Sequence, residues 1–526
     1  MSRKHPIKTE NTGPTGSPDN TRTIAHNSFW FGLELLFGLV ATFFTSVAVA
    51  RIVGPDRLSY YQYMVYLTYV TMSVGSFGLP ATTRKYMAEY LNRGEPGVAR
   101  ATYLATLKIQ SGVALGLVAA ALAVVLWRGD PRYRAASVLL VLAIAPRLVA
   151  YVPSQANNAA EVMRRNTGPS LAGGMVTTGL TIFSLLVGWD LVGLAAALLV
   201  GSLLECGLKL RSVERWLGGV APGTVSPELR RRMFAYSGQG LALLLLNAVV
   251  WDRSDIVILK ALNHDPRQIT YFSIAFSVAE RILIIPSSFV ESLAATMMAQ
   301  YGRDRARLKE MTVDGARYAM LVTLPLLLGI ACVSRPLVLL LYREPYRPLI
   351  ATLAIVAVMA IPKALVAAPT MLLQATERQG FLIVWGCLCG AVDVGLDILL
   401  TPRHGANGAA FANGTAQAMA ALGIWIYAWR ISDLELKLRD FGRIMVSGAI
   451  MAVAVLAFTR VAPGYVGMFG SIAIGAAIWM IALRVTAALR PQDVRRFLSV
   501  GDQFPASWRP HWKRLIAWLA PAGAAA

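Results

Sequence analysis

Apolar runs of about 20 residues, each long enough to cross a hydrocarbon layer as a helix, recur along the chain between short connectors rich in charge, proline or glycine. They predict fourteen spans, near residues 27–50, 58–80, 103–127, 135–155, 169–189, 191–210, 237–261, 269–299, 317–341, 349–375, 381–401, 406–429, 444–462 and 467–487. The first run ends in Ala48-Val49-Ala50, which has the form of a signal-cleavage site. Its length, and the polar stretch of more than about 20 residues before it, predict instead a helix that is kept. The pattern as a whole predicts an all-α integral membrane protein.

The longest charged connector, Arg211 to Arg232, carries Arg230-Arg231-Arg232 and follows the sixth span. It divides the first twelve spans into an N-lobe (27–210) and a C-lobe (233–429), joined by the basic linker 211–232. Both lobes begin on the same side of the membrane, as parallel repeats do. A weak internal echo fits: Ala50-Arg51, Asp56 and Tyr60-Tyr61 after the first span, and Leu259-Lys260, Asp265 and Tyr271-Phe272 after the seventh. Residues 430–487 supply helices 13 and 14. Residues 1–26 read as a disordered tail, with Gly13-Pro14, Gly16 and Pro18. In the closing segment, 488–526, Trp508, Trp512, Leu515, Ile516 and Leu519 share a helical face that Arg509, Lys513 and Arg514 avoid, so it is expected to lie on the inner membrane surface.

Composition agrees with the periodicity. Of 526 residues 56% are hydrophobic and 15% charged, too few charges to coat a soluble surface. The formal net charge of +21 would suggest nucleic acid in a soluble chain. Here Lys and Arg are concentrated in alternate connectors, 31 on the side of the N-terminus and 9 on the other. By the positive-inside rule both termini are expected in the cytoplasm of a multi-pass protein of the inner (plasma) membrane. Cys206, Cys332, Cys387 and Cys389 all lie in apolar stretches, and the five histidines show no ligand spacing, so neither disulfides nor a metal site is expected.

Three segments carry a resemblance. The first span is followed by Ala50-Arg51-Ile52-Val53-Gly54-Pro55-Asp56 and Tyr60-Tyr61; the second by Gly78-Leu79-Pro80 and Arg84-Lys85-Tyr86-Met87-Ala88-Glu89. Farther on come Gln374-Ala375-Thr376-Glu377-Arg378 and Thr401-Pro402-Arg403-His404-Gly405-Ala406-Asn407-Gly408. In order, these resemble the Wzx-type polysaccharide repeat-unit flippases of the multidrug/oligosaccharidyl-lipid/polysaccharide (MOP) exporter superfamily. The resemblance implies a MATE-like fold of two six-helix lobes plus two C-terminal helices, with the first, second, seventh and eighth helices lining a cleft. It also leads one to expect asparagine in the eleventh helix, where this chain has Asp393 and Asp397. Read from the residues themselves, the motifs are structural: Gly54-Pro55 closes a turn, Arg51 and Tyr60 sit at headgroup depth, and Gly405 and Gly408 allow close packing.

Ionisable groups inside a span should face a cavity or a partner. Counting outward from the connector between the seventh and eighth spans puts Asp252, Arg253, Asp255, Glu280 and Arg281 in one layer. These are the candidate substrate-binding residues, Arg253 and Arg281 contacting a lipid diphosphate and the carboxylates holding them in place. The same count gives Lys363 and Asp393 equal depth, predicting a structural ion pair beside a helix bent at Pro362 and Pro369. Glu34, Arg147, Glu291 and Arg335 also fall within spans.

The leading functional expectation is a flippase moving isoprenoid-diphosphate-linked oligosaccharide from the inner to the outer leaflet, for O-antigen, capsule or exopolysaccharide synthesis. Its expected partners are membrane lipids and polysaccharide polymerase or chain-length machinery, not nucleic acid. A cation-coupled multidrug antiporter is the alternative within transport; a cleft dominated by carboxylates would favour it. A membrane-embedded glycosyl polymerase or ligase ranks below both, because the outward connectors are too short to form a catalytic domain. No cofactor and no catalytic residue is expected, and no P-loop pattern suggests ATP. Coupling to H+ or Na+ would use carboxylates, with Glu34 and the group of Asp252, Asp255 and Glu280, Glu34 and Asp255 foremost, preferred over Asp393 and Asp397 because Lys363 would neutralise the latter.

Overall fold

The computed structural model describes residues 38–160, 162, 164–250, 254–301, 304–376, 378–435, 437–462, 464–501 and 507–519. The expected N-terminal tail lies outside them. Every regular element among the described residues is helical. The first is α1 (Gly38–Val53). The chain continues through α2 (Pro55–Gly75), α3 (Leu79–Asn92), α4 (Pro96–Arg128), α5 (Arg134–Leu142), α6 (Ile144–Ala159), α7 (Arg164–Val187), α8 (Asp190–Leu217) and α9 (Pro227–Val250). Then follow α10 (Asp255–Leu262), α11 (Arg267–Tyr301), α12 (Arg305–Tyr342), α13 (Leu349–Met359), α14 (Ile361–Ala375) and α15 (Gln379–Ser432). The last are α16 (Leu438–Val461), α17 (Tyr465–Val485), α18 (Pro491–Gly501) and α19 (Arg509–Leu519).

Ten of the described helical stretches are long and apolar enough to cross a membrane. The sequence predicted fourteen spans, and the difference has local causes. Runs 381–401 and 406–429 are the two halves of α15, which doubles back at Gly405 so that Phe381 stacks on Tyr427 at 3.8 Å, and they count once among the ten. The run at 237–261 is divided between α9 and α10, with 251–253 outside the described residues. α2, rich in Tyr, Ser and Thr, is not among the ten. The bend expected at Pro362 is present as the break between α13 and α14.

The chain forms two compact units, one made of the segment ending at Val49 with Leu67–Leu244, the other of Ala50–Tyr66 with the residues from Leu245 onward. In the first, α6 packs on α3, α4 and α8. α7 and α8 meet through glycines: a Cβ on Gly201 would lie 2.8 Å from the Gly173 carbonyl oxygen and closer still to Thr177. Two pairs of buried polar groups meet inside the bundle, where hydrocarbon offers no partner. Gln110 donates to the Gly75 carbonyl at 2.8 Å, and Thr83 to Thr106 at 3.0 Å.

In the second unit, α12 packs on α11, α13, α14, α16 and α17. The motif Ala50–Asp56 is bound into this unit. Arg51 donates to the carbonyls of Leu340 and Leu341, which end α12. The Tyr346 hydroxyl donates to the Ala50 carbonyl at 2.6 Å, and Thr270 to that of Pro55 at 2.9 Å. Arg51 was expected at headgroup depth; its partners show that it also caps a helix C-terminus, where orphan carbonyls need donors.

The apolar face of α19 was expected on a lipid surface. Ile516 and Leu519 are instead buried in a core with Met320, Leu324, Ile444, Met451 and Leu483. Trp512 packs against the same core, while Trp508 is exposed. Amphipathicity reports an apolar neighbour without saying whether it is lipid or protein. Charge fixes the arrangement: Arg317, fully buried in α12, holds Asp493 of α18 at 2.6 Å. Arg490 reaches Asp314 at 3.0 Å and Asp440, and Arg496 reaches Asp314 at 2.7 Å.

α15 is continuous except at Gly405, whose φ of 54° and ψ of −132° suit glycine alone. The Gln268 side chain accepts from the Ala406 amide at 3.0 Å. A Cβ on Gly405 would lie 2.5 Å from that same Gln268 oxygen.

Two outcomes are expected from these contacts. Gly405→Ala should destabilise the protein by about 1–3 kcal/mol, because it adds backbone strain to a clash; unfolding in detergent measures this, with Gly395→Ala, where a Cβ meets open space, as the reference. Asp493→Asn should cost about 3–5 kcal/mol, since it strands a buried guanidinium. Burial pushes the Asp493 carboxyl up, and hydrogen bonds from Arg317 and Tyr318 outweigh it, holding the carboxyl below the usual range. A depressed carboxylate stabilises above the unfolded value of about 3.9, and the contribution fades as pH falls through the lower folded value. The gap between wild type and Asp493→Asn in thermal unfolding should therefore hold from about pH 8 to 5 and shrink below about pH 4.

Candidate functional site

Inside the second unit, α11 and α14 present charge to a groove of about 380 Å³ lined by Ser277, Glu280, Arg281, Ile284, Ser287 and Lys363. Glu280 and Arg281 follow one another on α11 a turn before Pro286, and Lys363 comes from the first turn of α14, just after the proline break. The Lys363 ammonium lies 3.9 Å from Glu280 and 5.4 Å from the Phe276 ring centre. A neighbouring hollow shares Glu280 and Lys363 and continues past Phe272 and Met359 to Asn413 and Gln417 on α15. Among the described residues, Glu280 is the one carboxylate lining either space, against two cations.

The expected pair of Lys363 with Asp393 is not formed. Depth counting places two residues at one level without fixing the direction in which each side chain leaves its helix, and Lys363 faces Glu280. Asp393 is fully buried elsewhere, with no hydrogen-bond partner on either oxygen.

Asp393 belongs to a second cluster. Asp255, in the first turn of α10, and Asp397, one turn beyond Asp393 on α15, are also fully buried, and all three carboxyls act on one another electrostatically. Asn413 donates to Asp255 at 3.2 Å, Thr401 to Asp397 at 3.3 Å, and Gln417 to Asn413 at 2.6 Å. Asp397 and Thr401 precede the Gly405 break and Asn413 and Gln417 follow it, so that one residue's backbone sets both halves of α15 around Asp255. Three carboxyls in a dry site cannot all be anionic without a proton or cation among them. Among the described residues no group of three or more acidic, His or Cys side chains has metal-holding geometry. Asn413 and Gln417 join the two sites, one end bonded to Asp255 and the other lining the hollow beside Lys363.

Of the sequence candidates, Glu280 and Arg281 are brought to the groove, and Asp255 is placed with the carboxylate cluster. Glu34, Asp252 and Arg253 lie outside the described residues, as does the side chain of Glu291. Arg147 is half-buried in α6 and Arg335 exposed on α12, and neither lines the groove. Sequence reading missed Asn413 and Gln417, whose only signal is their spacing of four on a span, which puts both amides on one face. It also set aside Asp393 and Asp397, on the strength of the mistaken partner.

A model of the family described as Polysaccharide biosynthesis protein matches residues 48–351. No protein of curated description matches the chain in sequence. Among solved structures, "Lipid II flippase MurJ, inward closed conformation" aligns with a TM-score of 0.68 at 14% identity, over 86% of this chain and 98% of that one. An inward-facing multidrug resistance MATE family transporter of the MOP superfamily aligns with a TM-score of 0.65 at 15% identity, over 75% and 95%. A MOP superfamily transporter from Pyrococcus furiosus, described as having a binding pocket of reverse polarity, aligns with a TM-score of 0.58 at 14% identity, over 77% and 95%. At such identities the likeness shows the fold, which is that of MOP transporters, and the family match carries the assignment: this multi-pass membrane chain belongs to the polysaccharide biosynthesis protein family.

Proposed function

We propose that this protein is a flippase that carries an isoprenoid-diphosphate-linked oligosaccharide from the inner to the outer leaflet of the plasma membrane, supplying surface polysaccharide synthesis. The observation that carries the reading is the groove's charge. Among the described lining residues Arg281 and Lys363 accompany one carboxylate, Glu280, a lining that suits a diphosphate rather than an organic cation. Family membership supports a role in building polysaccharide, and the MOP transporter fold supports alternating access of two lobes. The basic connectors support cytoplasmic termini, with polymerase or chain-length machinery consuming the product on the other side.

Energy coupling is assigned, within the same proposal, to Asp255, Asp393 and Asp397. Gain or loss of a proton there changes the charge beside Asn413 and Gln417, and those amides border the substrate hollow. A coupled ion biases conformation only through unequal affinity for the two states. A carboxylate cluster that opens to water in one state and is dry in the other has that property.

Arg281→Ala and Lys363→Ala should each lower flipping of labelled lipid-linked oligosaccharide in proteoliposomes at least about tenfold, as expected for losing a charge-assisted contact, at unchanged protein level. Normal flipping by both would remove the two cations from the substrate site, and extrusion of organic cations by a wild type that does not flip the lipid would replace the flippase reading with drug antiport. Asp397→Asn and Asp255→Asn should remove the response to an imposed proton gradient while binding of the lipid diphosphate persists. A response to sodium but not protons would make sodium the coupled ion, and indifference to both would leave movement driven by consumption of product.

A further inference from the structure

The first unit contains a second cationic cavity, of about 500 Å³, between the start of α7 and the end of α8. Arg164, Arg165, Arg211 and Arg215 line it, with apolar contributions from Pro169 and Leu208. No carboxylate is among its described lining residues. The nearest carboxylates on α8 have other cations: Glu205 is held by Lys209 at 2.6 Å, and Glu214 lies 3.6 Å from Arg100. Four arginines from two helices thus line one hollow.

The hollow rests on a fixed frame. Asn157 donates to Asn166 at 2.9 Å, Asn166 to Asn158 at 2.8 Å and to the Ser154 carbonyl at 2.9 Å, which closes the turn from α6 into α7. The Trp216 indole donates to Asn157 at 3.1 Å, and the Arg165 guanidinium lies over the Trp216 ring at 5.3 Å. Arg165 is thereby fixed by a stacked partner that leaves its N–H donors for a ligand.

The chemistry of the ligand follows from where the arginines stand. Both helices are spans, and the arginines occupy the end of each, at headgroup depth. Leu204, Leu208, Arg211 and Arg215 fall on one face of α8, apolar toward the span and cationic at its end. Leu204 is exposed. A soluble anion would have use for the cationic half only. A phospholipid matches both halves, with phosphate at the guanidinium groups and an acyl chain along the leucines. We propose that this cavity binds the phosphate headgroup of an anionic membrane phospholipid, apart from the substrate groove of the second unit, and so ties the first unit to anionic bilayer.

The full-length protein, purified and delipidated, should retain added cardiolipin or phosphatidylglycerol over phosphatidylcholine in native mass spectrometry. Arg211 and Arg215 are exposed, so Arg211→Gln with Arg215→Gln can be made without disturbing the frame. Retention should weaken roughly fivefold per arginine removed. Arg165→Lys should keep most of it, and Arg132→Gln, which removes a charge bound to Asp130 elsewhere in the unit, should change nothing. Equal retention by wild type and the double variant would overturn the proposal. Inorganic pyrophosphate binding to wild type with no competition from either lipid would make the cavity a soluble-anion site and overturn it as well. The readout is binding, so it stands or falls independently of whether the protein flips oligosaccharide.

Discussion

Most of this structure depends on one constraint: a charge carried into a spanning helix must find its counter-charge, donor or water within the protein, because hydrocarbon offers none. The chain meets it in three ways. In the N-terminal half of α12 the solution is an ion pair, where buried Arg317 takes Asp493 and a backbone carbonyl and so fastens α18. In the groove Lys363 and Arg281 share space with Glu280, the one carboxylate among its described lining residues. In the cluster of Asp255, Asp393 and Asp397 it is left open: Asp255 accepts from an amide and Asp397 from a hydroxyl, and Asp393 has no hydrogen-bond partner among the described residues.

That gradation separates fastening from function. A buried bridge between opposite charges resists change of protonation, which suits a clasp. Carboxyls lacking donors can exchange a proton or cation, which suits a switch. Gly405 connects the second arrangement to the fold. The backbone departs from helical geometry at a glycine, and the departure brings both halves of α15 to Asp255. The polar path from Asp255 through Asn413 to Gln417 then ends at the hollow that Lys363 lines.

The family motifs serve the same fastening. Arg51, Ala50 and Pro55 are held by α12, Tyr346 and Thr270, which places the segment 50–66 in the second unit although it follows the first helix in sequence. The lobe boundaries expected at 27–210 and 233–429 assume that units coincide with runs of sequence. Contacts group the segment ending at Val49 with Leu67–Leu244, and Ala50–Tyr66 with the residues from Leu245 onward.

By itself the sequence determined the class of fold, because each apolar run must bury about 20 residues in hydrocarbon whatever it packs against. It also determined that Glu280, Arg281 and Asp255 occupy the interior of the second unit, since depth follows from distance along a helix at a fixed rise. What depth cannot give is azimuth. Lys363 and Asp393 share a level, yet only the rotation of α14 and α15 about their axes decides that one meets Glu280 and the other meets two more acids. The same limit applies to α19, whose apolar stripe is plain in the sequence while its burial against α12 and α16 is a fact of tertiary contact. Period and length are local properties of a chain. The partner of each buried charge is set by the packing of helices far apart in sequence, and only the folded structure supplies it.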